Sequence, residues 1–355
     1  MTRRQWELAA WMIGGVGLVG AAIGWIIASA TFPHAWLAAL IAWLGWPIGC
    51  MGLLLIHALT GGQWGYATRP QLVAGMSTLL LLPPLLIPLA IVLPRLYPWL
   101  RPEVAAHLDN AFYLNLPAFV VRGAVYLIVW FGLAWLTLGA FRRDDREHAL
   151  ARIAPAGLIL LAITVTFATI DATMSLDPHF ASSVFGLITI AEMGLLALSV
   201  STFAVIVGQS PGDGALHSLG RLIMALLILW AYLDFMQLLI VWQSDLPNEA
   251  RWYALRWTGG WGVTASLIAG GHFVLPFFVL LSSRAQRSRG LMACVTALLI
   301  FGGIVRSWWL VVPASGADFS VVDASTMFGV TGVAAALALR APGMPWIPRS
   351  VWRHV

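Results

Sequence analysis

Apolar residues run almost unbroken along this chain, in long stretches divided by short clusters of proline, glycine and arginine. The stretches fall near residues 7–30, 35–59, 71–93, 114–141, 152–174, 182–208, 219–243, 257–282, 290–312 and 321–339. A bilayer crossing needs roughly 20 apolar residues in helical form, so each stretch is a candidate span. The pattern predicts an all-α, polytopic membrane protein of about ten transmembrane helices. Pro83, Pro84 and Pro88 lie inside the third stretch and predict a kink there, since proline removes a ladder donor. Such a break survives in lipid only where neighbouring groups satisfy the freed backbone.

Composition sharpens this reading. Of 355 residues, 60% are hydrophobic and 10% charged, against about 45–50% and about 25% in soluble domains. The mean hydropathy is +0.86. Little chain remains for a globular extramembrane domain, so soluble enzyme classes are excluded and 1–355 reads as one integral membrane domain. The net charge of +5 would in a soluble protein suggest nucleic acid. Here every basic residue is arginine, and the arginines are topology signals facing anionic lipid.

Ten spans sort those arginines. Arg3, Arg4, Arg69, Arg142, Arg143, Arg146, Arg152, Arg221, Arg284, Arg287, Arg289, Arg340, Arg349 and Arg353 share one side. Arg95, Arg101, Arg251 and Arg256 share the other, and Arg122 and Arg306 fall within spans. The positive-inside rule then expects both termini in the cytoplasm. Arg3 and Arg4, followed by an apolar run and Ala28-Ser29-Ala30, also fit a signal peptide. The length of the run and the small-residue faces of Gly14, Gly17, Gly20 and Gly24 favour a retained helix.

Charge inside a span is costly unless paired or hydrated. The residues in question are Arg122, Asp171, Glu192, Asp234, His272 and Arg306, with His57 at a helix end. At 1.5 Å per residue, Asp171 lies about 5 Å from the periplasmic ends, Arg306 about 9 Å, Arg122 about 12 Å, Asp234 about 14 Å and Glu192 about 15 Å. His272 falls beyond the midplane. Two readings stand: structural ion pairs that fix helix register, or a polar cavity and proton path. The odd carboxylate and the staggered depths suit a relay.

The turn Met174-Ser175-Leu176-Asp177-Pro178-His179-Phe180 is a capped interhelical connection or, with Asp171, a carboxylate–histidine site at the membrane surface. Cys50 and Cys294 sit apart in apolar runs, with no CxxCH and no thiolate set for a cluster or zinc. No metal site and no covalently bound cofactor are expected. A bis-histidine haem is disfavoured, because His57 and His272 differ by roughly 12 Å in depth.

A series of segments resembles a known family. Thr60-Gly61-Gly62-Gln63-Trp64-Gly65 follows the second span, and Tyr113-Leu114-Asn115 opens the fourth, with Arg122 beyond. Asp171 and the Met174–Phe180 turn come next, then Leu229-Trp230-Ala231-Tyr232 with Gln237. Leu246-Pro247-Asn248-Glu249 with Trp252-Tyr253, and His272-Phe273-Val274-Leu275-Pro276-Phe277, complete the order. From about residue 57 to 313 the chain resembles the ActF-type membrane subunit of bacterial alternative complex III, within the NrfD-like (polysulfide reductase membrane subunit) group. Asp245 departs from that pattern, where an amide is usual, and no acidic residue follows Arg306 closely.

The resemblance implies two four-helix bundles, about 35–174 and 182–312, flanked by helices about 7–30 and 321–339. It implies a bacterial cytoplasmic membrane and a quinol:electron-acceptor oxidoreductase. Its partners would be a related NrfD-like membrane subunit, an iron–sulfur subunit and haem c subunits, with no nucleic acid. The expected role is a subunit without its own redox centre, offering a cavity for ubiquinol or menaquinol or a proton route. Proton transfer then falls to Asp171, Asp177, His179, Glu192 and Asp234, and cavity lining to Arg122, Gln237, His272 and Arg306. A structural or assembly subunit is the alternative, and a secondary transporter a weaker one.

Overall fold

A computed structural model describes residues 2–108, 110–208, 212–244 and 246–352. Asp245 and Arg353, both used above, lie outside the described residues. The described chain is helical, with no strand. Ten helices are long and apolar enough to cross a membrane. They are α1 (Arg3–Ile27), α2 (Phe32–Thr60), α3 (Gln63–Leu96), α4 (Leu116–Ala140) and α5 (Arg146–Leu176). The second half comprises α6 (Phe185–Gly208), α7 (Asp213–Ser244), α8 (Gly260–Leu280), α9 (Arg289–Ser315) and α10 (Val321–Gly343). An even number of crossings puts residue 2 and residue 352 on one side, called here the terminal side.

Local chemistry sets the boundaries. Thr2 and Gln5 form a reciprocal capping box that opens α1. Asn115 accepts from the Ala118 N–H at 2.9 Å and so starts α4, with Pro117 in the first turn, where its missing N–H costs nothing. The expected break in α3 takes the form of a 3-10 segment, Thr78–Leu81, just before Pro83. Without N–H groups at Pro83 and Pro84 the α-ladder cannot continue, and the backbone tightens by a turn. Trp36 of α2 donates to the Leu85 carbonyl at 2.9 Å, tying the helix just past the break to the central helix.

α2 is the centre of the molecule. Its apolar window is 72% buried, against 17% for α4. α2 packs on α3, α5, α6, α9 and α10, whereas α4 leans chiefly on α5. α6, α7, α8 and α9 pack among themselves and meet the earlier helices through α2, α3 and α5. α1 packs mainly on α10. There the Gly17 α-carbon abuts the Gly329 backbone and Gly14 abuts Gly332 and Val333, so closely that a methyl group at either glycine would collide with main chain. This is small-residue packing, which lets helices associate in lipid without a hydrophobic drive.

One element differs from the sequence expectation. Residues 244–256 fall between the seventh and eighth apolar stretches and read as a loop, but a helix forms there, Pro247–Trp257, with proline in its first turn. It is too short to span and carries Glu249, Arg251 and Arg256, while Trp252 and Arg256 are buried. It lies against α7, α8 and the end of α9, on the side opposite the termini.

Candidate functional site

The intramembrane charges separate into two clusters. In the first, Arg122 and Tyr126 stand one turn apart on α4 and so share a face. Arg122 Nε donates to Asp171 Oδ2 at 2.9 Å, and a terminal nitrogen donates to Oδ1 at 2.8 Å. Tyr126 donates its hydroxyl to Oδ2 at 2.6 Å. The other Arg122 nitrogen donates to the Tyr113 carbonyl at 3.0 Å, and the guanidinium lies 3.8 Å from the Tyr113 ring centroid. This is a bidentate, charge-assisted pair in which both Asp171 oxygens are engaged, while among the described residues the neighbouring Tyr113 hydroxyl is buried without a partner. It ties the lightly packed α4 to α5, and the arrangement suits register better than proton traffic.

The second cluster is open. Arg306 on α9 donates to Asp234 Oδ1 on α7 at 2.6 Å. The Asp234 side chain is 34% exposed and the Arg306 side chain 5%. Asp234 faces a cavity of about 420 Å³ between α7, α8, α9 and the short helix 247–257, walled by Trp230, Tyr253, Trp257, Phe273 and Trp309. Arg306 also borders an inner cavity of about 70 Å³ with Glu192, Thr169, Thr173, Thr189 and Ser307. Its guanidinium therefore stands between the two spaces.

Behind Arg306, His272 Nε2 lies 3.4 Å from Glu192 Oε1, too poorly aimed for a hydrogen bond. Two glycines of α9 make room for this pair. A methyl at Gly302 would strike the His272 ring, and one at Gly303 would sit 3.2 Å from Glu192 Oε1. His272 belongs to a π-helical turn, Ile268–Val274, a departure from α geometry often found at functional sites. Trp230 meets its ring edge-on at 4.7 Å. Among the described residues, both His272 nitrogens, Glu192 Oε2 and Arg306 Nε are buried without a hydrogen-bond partner. Buried polar atoms are nearly always bonded. A concentration of unmet ones at membrane depth marks a place for water, a mobile proton or a ligand.

The remaining predicted residues lie elsewhere. Gln237 is buried and accepts from the Ser182 hydroxyl at 2.8 Å, holding the loop before α6 to α7. Asp177 accepts from the His179 N–H at 3.2 Å and pairs with Arg251 at 3.4 Å. Among the described residues Asp171 bonds to neither of them, so the expected trio is divided between span and loop. His57 bonds to the Gly62 carbonyl at 3.0 Å and packs against Gly65, closing the Thr60–Gly65 turn, whose Gly61 and Gly62 have φ of +66° and +102°. That motif is a turn lock far along α2 from the charges.

Several site residues escaped the sequence reading. Tyr126 was signalled by its one-turn spacing from Arg122. Trp230 and Tyr253 stood inside quoted motifs but carried no role. Arg256 was counted as a loop charge and is 1% exposed, with nothing in its neighbours to signal burial. Among the described residues no three His, Cys, Asp or Glu side chains converge as a metal site. The sequence matches no known family model and no curated protein.

Proposed function

We propose that this chain is an integral membrane subunit of a quinol-oxidising complex and that it seats a quinol headgroup in the Asp234–Arg306 cavity. The carrying observation is that cavity. Its volume, about 420 Å³, suits a small-molecule site, as do its mostly aromatic walls and few polar groups. A carboxylate one-third exposed at membrane depth requires water, a ligand or a partner opposite it.

The residues fit the group. A quinol headgroup is a flat ring with a hydroxyl at each end. Asp234 can accept from one hydroxyl, Arg306 can donate to an oxygen, and Trp230, Phe273 and Trp257 offer ring faces. Oxidation releases two protons and two electrons. In this reading Asp234 takes a proton at the cavity wall, and Glu192 and His272 take protons inward of Arg306. The electrons pass to iron–sulfur or haem c groups of partner subunits beside a related membrane subunit. In this reading the arginine-rich terminal side faces the bacterial cytoplasm, as the positive-inside rule favours, and the cavity opens in the outer half of the membrane. Asp177 and His179, in the opposite loop, stand where released protons would leave.

The test is quinol-dependent electron transfer in the assembled complex carrying Asp234→Asn. Loss of a positioned proton acceptor lowers turnover by about 100-fold, with the subunit still incorporated. Unchanged turnover in an assembled complex rejects the reading. One observation favours a structural role in part of the molecule: both Asp171 oxygens are engaged by Arg122 and Tyr126 across α4 and α5, and scaffolding explains that without chemistry.

A further inference from the structure

A pocket at the loop level shares Asp177 and His179 with the proton exit proposed above but holds no part of the quinol seat. It encloses about 260 Å³ and is bordered by Leu176, Asp177, His179, Arg251, Leu255 and Arg256. Arg256 is 1% exposed. Its two terminal nitrogens donate to the Trp252 carbonyl at 3.0 Å and the Leu310 carbonyl at 2.7 Å, and it lies 3.5 Å from the Trp252 ring centroid. The Leu310 bond caps the last turn of α9, where a cation is favoured. Arg256 Nε is buried with no partner.

Among the described residues no carboxylate forms an ion pair with this guanidinium. Asp177 pairs instead with Arg251, at 3.4 Å, and the Arg251 side chain is 60% exposed. Burial pulls the Arg256 guanidinium below its ordinary value, to about 9, and Asp177 offsets only part of that. Two arginines thus share one carboxylate, leaving a surplus positive charge and an unmet N–H donor. The pocket sits at the ends of two candidate spans, α5 and α9.

We propose that this pocket binds a phosphate oxyanion between Arg251 and Arg256. Phosphate supplies several acceptor oxygens and the charge the pocket lacks, and guanidinium groups match it geometrically. Arg251 is exposed enough to turn from Asp177 toward it. Leu176 and Leu255 provide an apolar flank that also accepts the glycerol ester of a phospholipid. Free phosphate and a lipid headgroup share this chemistry.

Two probes separate those sources on the full chain. In detergent micelles, inorganic phosphate is titrated against the thermal unfolding midpoint. In nanodiscs of phosphatidylcholine, the midpoint is compared with and without phosphatidylglycerol. A saturable phosphate response that Arg251→Gln weakens about tenfold supports the site as one for free phosphate. Protection by phosphatidylglycerol alone, again weakened in Arg251→Gln, supports it as a headgroup site. Because Arg256 also caps α9, Arg256→Lys serves as the second variant, keeping the charge while losing the fork. Equal responses of wild type, Arg251→Gln and Arg256→Lys to both probes overturn the proposal.

Discussion

Arg306 reaches from α9 to Asp234 on α7, nitrogen to Oδ1 at 2.6 Å, while its own Nε stays buried without a hydrogen-bond partner. The pair fixes two helices and leaves bonding capacity unspent. Removing Asp234 strands a buried guanidinium without its counter-charge. Asp234→Leu is therefore expected to destabilise the fold by about 3 kcal/mol, and Asp234→Asn by less, since an amide oxygen still accepts. Denaturant unfolding in micelles measures both.

The Arg122–Asp171 pair leads to a different expectation. Both Asp171 oxygens are held by Arg122 and Tyr126, so loss of the pair acts on stability and assembly. Asp171→Ala strands Arg122 and costs about 3–5 kcal/mol, whereas Tyr126→Phe removes one charge-assisted bond and costs about 1.5–3 kcal/mol. Limited proteolysis of the loops flanking α4 reports whether that helix has come loose. A variant that kept full stability yet lost quinol turnover would instead place Asp171 in the chemistry.

Gly302 probes the Glu192–His272 pair without touching a charge. A methyl there collides with the His272 ring. Overpacking of this kind costs about 1–3 kcal/mol, and relieving it shifts the histidine ring from its present place beside Glu192. Gly302→Ala is expected to lower quinol turnover together with stability, while Gly123→Ala, where a methyl meets nothing, leaves turnover unchanged.

Alkaline pH should destabilise the protein. Tyr97, Tyr113 and Tyr253 lie outside the spans, and burial pushes each phenol above its ordinary value of 10.0, with Asp171 adding to the rise at Tyr97 and Tyr113 and Asp234 at Tyr253. Above pH 10 the unfolded chain loses phenolic protons that the folded chain keeps, so stability falls as pH rises. Unfolding midpoints between pH 9 and about pH 11 measure this. Tyr97→Phe flattens the slope.

The span count, the kink in α3 and the close faces of α1 were legible because they rest on local chemistry: run length, missing N–H groups and missing side chains. The identity of the intramembrane residues was legible too, since lipid makes every charge conspicuous. Their partners were not. Depth counting set His272 beyond the midplane and apart from Glu192, yet the two are 3.4 Å apart. A rise per residue gives height on one helix and says nothing of which face meets which neighbour. The π-turn at Ile268–Val274 also departs from the regular rise on which the count relies. Arg256 was invisible for a related reason: only the packing of a short interfacial helix under α9 buries it.

The most direct test of the central claim is photolabelling of native membranes with an azido-quinone, followed by mapping of the labelled peptides. The cavity predicts label near Phe235 on α7, Phe273 on α8 or Trp257 at the end of the short helix between them, suppressed by excess unlabelled quinone and by Asp234→Leu. Label that is absent from this chain, or that persists unchanged in Asp234→Leu under competition, contradicts a quinol seat at Asp234 and Arg306.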